Sequence, residues 1–203
     1  MAGTLIRSGA SGTSRIGLAT TDAGTIEAAA GTLDFTSALS GGGGLTIDGG
    51  AVLEVDGSVA KTLAASFNGS KATLALASPA AFAATIAGFA STDTIDLLKV
   101  AATGASVNGK DQLVIVDGTA TVATLKLTGS YSGATFSVGG DGKGGTGITL
   151  VTAASVPPPA TSPQAMVAAM ASLGAATLSA SAVTAHSDAV TPMLLAPRSL
   201  NTD

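Results

Sequence analysis

The sequence predicts an all-β fold, a single-stranded parallel β-solenoid with coils of about 20–21 residues, followed by a proline linker and a short helical or disordered tail. Three observations point there. Short runs alternate apolar and polar residues, glycine- and asparagine-rich turns separate those runs, and their apolar centres recur at a nearly fixed spacing.

The alternating runs include Thr32-Leu33-Asp34-Phe35, Leu45-Thr46-Ile47-Asp48 and Val52-Leu53-Glu54-Val55-Asp56. Period two with β-branched residues is the signature of a strand with one buried face. Between them lie Gly41 to Gly44, Asp48-Gly49-Gly50, Asp56-Gly57, Asn68-Gly69, Asn108-Gly109, Asp117-Gly118 and Gly139 to Gly142. Glycine and asparagine tolerate positive φ, so each cluster can turn the chain sharply. The centres Leu33, Leu53, Leu74, Ile95, Ile115 and Phe136 follow one another at 20, 21, 21, 20 and 21 residues, and Leu5, Ile26 and Ile47 at 21 and 21. One such coil buries little alone, whereas coils stacked about 4.8 Å apart pair their backbones and close a narrow core. Seven coils would then fill residues 1–154, with the six centres in one column. The competing architecture is an antiparallel sandwich or barrel with hairpins at Asp48-Gly49 and Asn108-Gly109.

Composition agrees with a narrow core. The chain has 27 Gly, one Tyr, no Trp and 11% charged residues, so small and β-branched side chains must do the packing. A net charge of −4 with scattered basic residues speaks against a nucleic-acid partner, which needs clustered Lys and Arg. Without cysteine there is no disulfide, thiolate nucleophile or cysteine-bound metal. No apolar run is long enough to span a membrane, and the segment Met1 to Arg7 lacks the apolar stretch of a secretory signal peptide.

At Val156-Pro157-Pro158-Pro159 a stiff polyproline connector interrupts any ladder, which makes residues 155–162 a linker between the solenoid and a tail, 163–203. Ser162 and Pro163 can start a short helix with Met166, Met170 and Leu173 on one face and Gly174 at its end. If that helix folds back, its face caps the last coil and the protein stays monomeric. The face is a weak cap and the connector gives the tail reach away, so the favoured expectation is that Ile148, Leu150 and Val151 of the last coil pair end to end with Leu5 and Ile6 of another subunit, giving a filament.

Gly69-Ser70-Lys71-Ala72-Thr73-Leu74-Ala75-Leu76, with Pro79, Phe82, Ile86-Ala87-Gly88-Phe89 and Asp93-Thr94-Ile95-Asp96-Leu97, resembles a repeat module of large secreted alphaproteobacterial proteins. The stretch Asp141-Gly142-Lys143-Gly144-Gly145-Thr146-Gly147-Ile148 is similar to the element that often closes such modules, so the likeness spans about residues 24 to 152. The resemblance implies an autotransporter- or haemagglutinin-like β-solenoid associated with adhesion and biofilm, exported by type I or autotransporter routes. The chain departs from those proteins in being short and in lacking an autotransporter barrel.

The residues nominate no catalytic, cofactor-binding or metal site. The sole imidazole, His186, lies in the tail, away from any triad partner. Asp34, Asp48, Glu54, Asp56, Asp93 and Asp96 alternate with core positions and could line an outer face, where paired carboxylates would serve a glycosidase. Their simpler role is to keep that face solvated. Gly142-Lys143-Gly144 leads into a strand and not a helix, against a phosphate loop. The calcium nonapeptide pattern fails because Gly144 stands where Asp is required, which leaves rows of stacked Asp as the only route to calcium. Asn68-Gly69-Ser70 reads as a turn before it reads as a glycosylation sequon. The expected function is that of a non-enzymatic, extracellular structural or adhesive protein, exported without an N-terminal signal peptide. Its expected partners are other copies of itself and cell-surface polysaccharide. The alternatives are a carbohydrate-active enzyme and a cytosolic polymer resembling the bactofilins.

Overall fold

The computed structural model describes residues 2–151, all within one compact unit that reaches residue 154. The predicted linker, the helix at Pro163, its face of Met166, Met170 and Leu173, and His186 lie outside the described residues.

The chain winds as a β-solenoid, and its first two coils contribute three strands each. The first coil is β1 (Thr4–Arg7), β2 (Thr13–Ile16) and β3 (Thr20–Asp22). The second is β4 (Thr25–Ala28), β5 (Thr32–Phe35) and β6 (Leu39–Gly41). Later coils keep the first two sides: β7 (Gly44–Asp48) with β8 (Val52–Val55), β9 (Ala64–Asn68) with β10 (Thr73–Leu76), and β11 (Thr85–Ala87) with β12 (Thr94–Leu97). On the third side only single parallel bridges continue, from Leu39 to Val59 to Phe82. Each side is a parallel sheet: β1-β4-β7-β9-β11 on the first, β2-β5-β8-β10-β12 on the second, β3-β6 on the third.

Register follows from the period-two pattern, because a slip of one residue would turn every apolar side chain outward. On the second sheet Leu33, Leu53, Leu74 and Ile95 stack in direct register and are buried. The other inward row, Phe35, Val55, Leu76 and Leu97, is equally buried. On the first sheet the column runs Leu5, Ile26, Leu45, Ala65 and Ile86. Leu45 takes the place expected of Ile47, which pairs instead with Ala28 and Phe67, because that turn of the coil uses 19 residues, from Ile26 to Leu45. Phe67, Phe89 and Phe136 form an aromatic ladder with ring centroids 5.3 and 6.4 Å apart, and the buried Tyr131 hydroxyl donates to Phe89 O at 2.9 Å.

Parallel winding ends after five coils, not seven. The chain reverses at Asn108-Gly109, where Asn108 Oδ1 accepts the N–H groups of Lys110 (2.9 Å) and Gln112 (3.1 Å). It reverses again between Asp117 and Ala120, giving the antiparallel meander β13 (Gly104–Val107), β14 (Gln112–Asp117) and β15 (Ala120–Thr128). β15 extends the first sheet beside β11. A hairpin of β16 (Thr135–Gly140) and β17 (Thr146–Val151) extends the second, with β17 antiparallel to β12. Ile115 therefore lies in the first sheet, and Ile95 is continued by Ile148 and Val138 in place of Ile115 and Phe136. Ile148 is paired on both sides and fully buried, so it is no exposed terminal edge. The Asn108-Gly109 hairpin of the competing architecture is present, whereas Asp48-Gly49 is a solenoid corner between β7 and β8.

Candidate functional site

Because alternate residues of the second sheet fill the core, the intervening ones face outward, and register stacks them into rows. One row runs Arg15, Asp34, Glu54, Ala75, Asp96 and Gly147. Beside it runs Thr13, Thr32, Val52, Thr73 and Thr94. The loop joining β16 to β17 reaches over these rows and makes them a groove. Two adjoining hollows of about 390 and 380 Å³ share Glu54, Leu98, Asp141 and Lys143 as walls. Arg15, Asp56 and Lys99 line one hollow, and Thr32, Val52, Thr73, Ala75, Thr94 and Asp96 line the other.

The overhanging loop is held by its own first residue. Asp141 Oδ1 accepts the N–H of Lys143 at 2.6 Å and that of Gly145 at 2.8 Å, and these bonds hold its carboxyl below the ordinary value. A side chain at Gly145 would run into the Leu97 carbonyl and the Lys99 N–H, so glycine lets the loop sit directly on the β12 end.

Charge in the groove is concentrated and incompletely paired. Asp34 is fully buried although it stands on the outer face, because Arg15 lies over it with Nε donating to Oδ2 at 2.6 Å. This is the one ion pair among the described residues. Burial pushes the Glu54 carboxyl up, and repulsion from Asp34 and Asp56 adds to the effect against the weaker pull of Arg15 and Lys143. Burial, then Asp141, pushes the Asp96 carboxyl up as well. Asp34 Oδ1, Asp96 Oδ1 and Asp141 Oδ2 are buried with no hydrogen-bond donor. A buried acceptor left unpaired is destabilising by about 1–3 kcal/mol, more when charged.

Asp34, Glu54 and Asp56 each bring a carboxylate oxygen within 4.8 Å of the others, the one grouping among the described residues that could hold a metal ion. The donor set fits calcium poorly. That ion takes six to eight oxygens, three residues supply too few, and Arg15 already neutralises the most buried of them.

Of the six acidic residues expected on one outer face, the fold gathers Asp34, Glu54, Asp56 and Asp96. Asp48 belongs to the first sheet, where Asn68 Nδ2 donates to it at 2.7 Å. Asp93 is buried at a corner, accepting the N–H groups of Ala72 (3.1 Å) and Ala90 (3.0 Å), so its work is structural. Sequence reasoning missed Arg15, Lys99, Lys143, Asp141 and the threonine row. Arg15 and the threonines carried a usable signal, the odd-even position that each shares with an outward acid in its strand or the next.

Comparison with known protein families, curated proteins and solved structures finds no match for this chain.

Proposed function

We propose that the chain is a non-catalytic, extracellular structural and adhesive module, and that the groove on its second sheet takes a stretch of hydroxyl-rich polysaccharide. The observation that carries this reading is the groove itself, whose walls set the carboxyls of Glu54, Asp56, Asp96 and Asp141 beside a row of threonines. Sugar hydroxyls donate to carboxylates and exchange hydrogen bonds with threonines, so such a ligand matches both kinds of wall. A groove on a stacked sheet also matches the repeating form of a polymer. The likeness of Gly69 to Leu97 and of Asp141 to Ile148 to secreted modules supports the extracellular setting.

Native electrophoresis through gels containing neutral, amino- or uronic-acid polysaccharides tests the reading. A neutral or amino polymer should retard the protein, uronic-acid polymers much less, and Asp96→Asn should weaken retardation about tenfold, the effect of one charge-assisted hydrogen bond. Equal mobility in every gel would refute it.

One observation favours a second reading, hydrolysis: Glu54 is pushed up beside two further carboxylates, as a general acid requires. Polymer recovered from the same gels distinguishes the two. Binding alone leaves its chain length unchanged, whereas an enzyme produces new reducing ends that Glu54→Gln abolishes.

A further inference from the structure

Backbone conformation singles out one residue of the groove. Three non-glycine residues among the described ones hold a positive φ: Lys71 at 63°, Lys99 at 56° and Asp111 at 55°. A side chain in that left-handed region brings its Cβ against the following carbonyl, which is why glycine is favoured there. Lys99 stands third in a four-residue turn, Leu97 to Val100, closed by Val100 N donating to Leu97 O at 3.4 Å. Positive φ at that place normally goes with glycine or asparagine. Lys71 and Asp111 lie outside the groove, whereas Lys99 lines one of its two hollows.

Strained residues of this kind persist where their surroundings over-determine them, and they gather at binding sites. Here the roof supplies the surroundings. A side chain at Gly145 would meet both Leu97 O and Lys99 N, so the roof loop rests on this turn and holds it at the groove. Lys99 is also what makes the two hollows unlike. Its own hollow brings three cations, Arg15, Lys99 and Lys143, to Glu54, Asp56 and Asp141. The adjoining one sets Lys143 alone against Glu54, Asp96 and Asp141. Arg15 already lies on Asp34, which leaves Lys99 as the cation that distinguishes the two. An ammonium offers three donors and no acceptor, so it bonds a carbonyl or ring oxygen and repels a second ammonium.

Resting on the reading of this groove as a polysaccharide site, we infer that Lys99 sets its specificity by discriminating against free amino groups. The carboxylates of Glu54, Asp56, Asp96 and Asp141 would by themselves draw in a polymer that carries ammonium groups. Lys99 opposes that attraction in one hollow and there donates to an acyl carbonyl, which a polymer with acylated amines supplies. A cation is thus kept at a place where glycine would be more stable, the usual opposition between stability and binding.

Electrophoresis of the 203-residue chain through gels holding a soluble amino-sugar polymer, either N-acetylated or deacetylated, tests this at a pH below the pKa of the amine. Retardation is measured against a polymer-free gel. In Lys99→Gln the ratio of the two affinities should move about tenfold toward the deacetylated polymer. Lys71→Gln, with the same loss of charge on an equally left-handed backbone, should leave the ratio unchanged. Lys99→Gly should bring the same shift as Lys99→Gln and also raise the melting temperature by about 1–4 °C. An unaltered ratio in both Lys99 variants, with the unsubstituted chain still retarded, would overturn this inference and leave the polysaccharide reading standing. An equal shift in Lys71→Gln would overturn it too, since net charge would then be responsible. So would a lower melting temperature in Lys99→Gly, which would mean that the lysine serves the fold. If no polymer retards the unsubstituted chain, the reading itself fails and this inference with it.

Discussion

Glu54 shows how a single side chain in the groove ties stability to pH. Burial and the neighbouring Asp34 and Asp56 push its carboxyl above the ordinary 4.5, so the folded chain holds that proton to a higher pH than the unfolded chain does. Ionising the group opposes folding, and stability falls as pH rises from 4.5 through the raised value. Glu54→Gln should therefore raise the melting temperature at pH 7 by about 1–3 °C once solvent screening is allowed for, and by nothing near pH 3, where both side chains are neutral. Melts of the two proteins across pH 3–8 check this, and a gain that persists at the acid end would mean that packing and not charge is responsible. Asp141 has the opposite sign. The N–H groups of Lys143 and Gly145 hold its carboxyl below the ordinary 3.8, so its contribution is present at neutral pH and is lost as pH falls through the lowered value.

At the scale of elements, the parallel coils were legible because the same residues that make a strand also set its register. Leu33, Leu53, Leu74 and Ile95 are strand centres by alternation, and their spacing is the coil length. Ile115 and Phe136 continue that spacing by coincidence, since two strands and a turn of a meander use about as many residues as one coil. The contrary signal lay in Asn108-Gly109 and Asp117-Gly118, turn pairs that suit a hairpin and that also serve as coil corners elsewhere in the chain. At the first of them the turn is held by side-chain chemistry that spacing does not show, the capture of two backbone N–H groups by Asn108 Oδ1. Asn108→Ala removes both bonds and should destabilise the fold by about 1–2 kcal/mol in urea titration. A change under about 0.3 kcal/mol would mean that Gly109 and the cross-strand pairs suffice without the cap. The groove was half legible. The acids of β5, β8 and β12 share an outward parity, but the loop that roofs them comes from Asp141 to Gly145, and no local pattern says where a loop will land.

For the whole molecule, the fold and its groove rest on one change of direction. Five coils wound in parallel supply the rows of Arg15, Asp34, Glu54 and Asp96, and the antiparallel strand β17 then lays Gly147 beside Asp96 and swings the Asp141 loop over them. Had the stack continued in parallel, Val116 would lie beside Asp96 and the groove would have no roof. The absence of cysteine makes the two arrangements separable. Facing residues of neighbouring strands have Cα atoms about 4.5–5.5 Å apart, within disulfide range. Two double variants, Asp96→Cys with Gly147→Cys and Asp96→Cys with Val116→Cys, can be oxidised under native conditions and mapped by non-reducing peptide mass analysis. The pair at 96 and 147 should close to an intramolecular disulfide while the pair at 96 and 116 stays reduced, and closure of the second pair in place of the first would contradict the antiparallel end and the groove built on it.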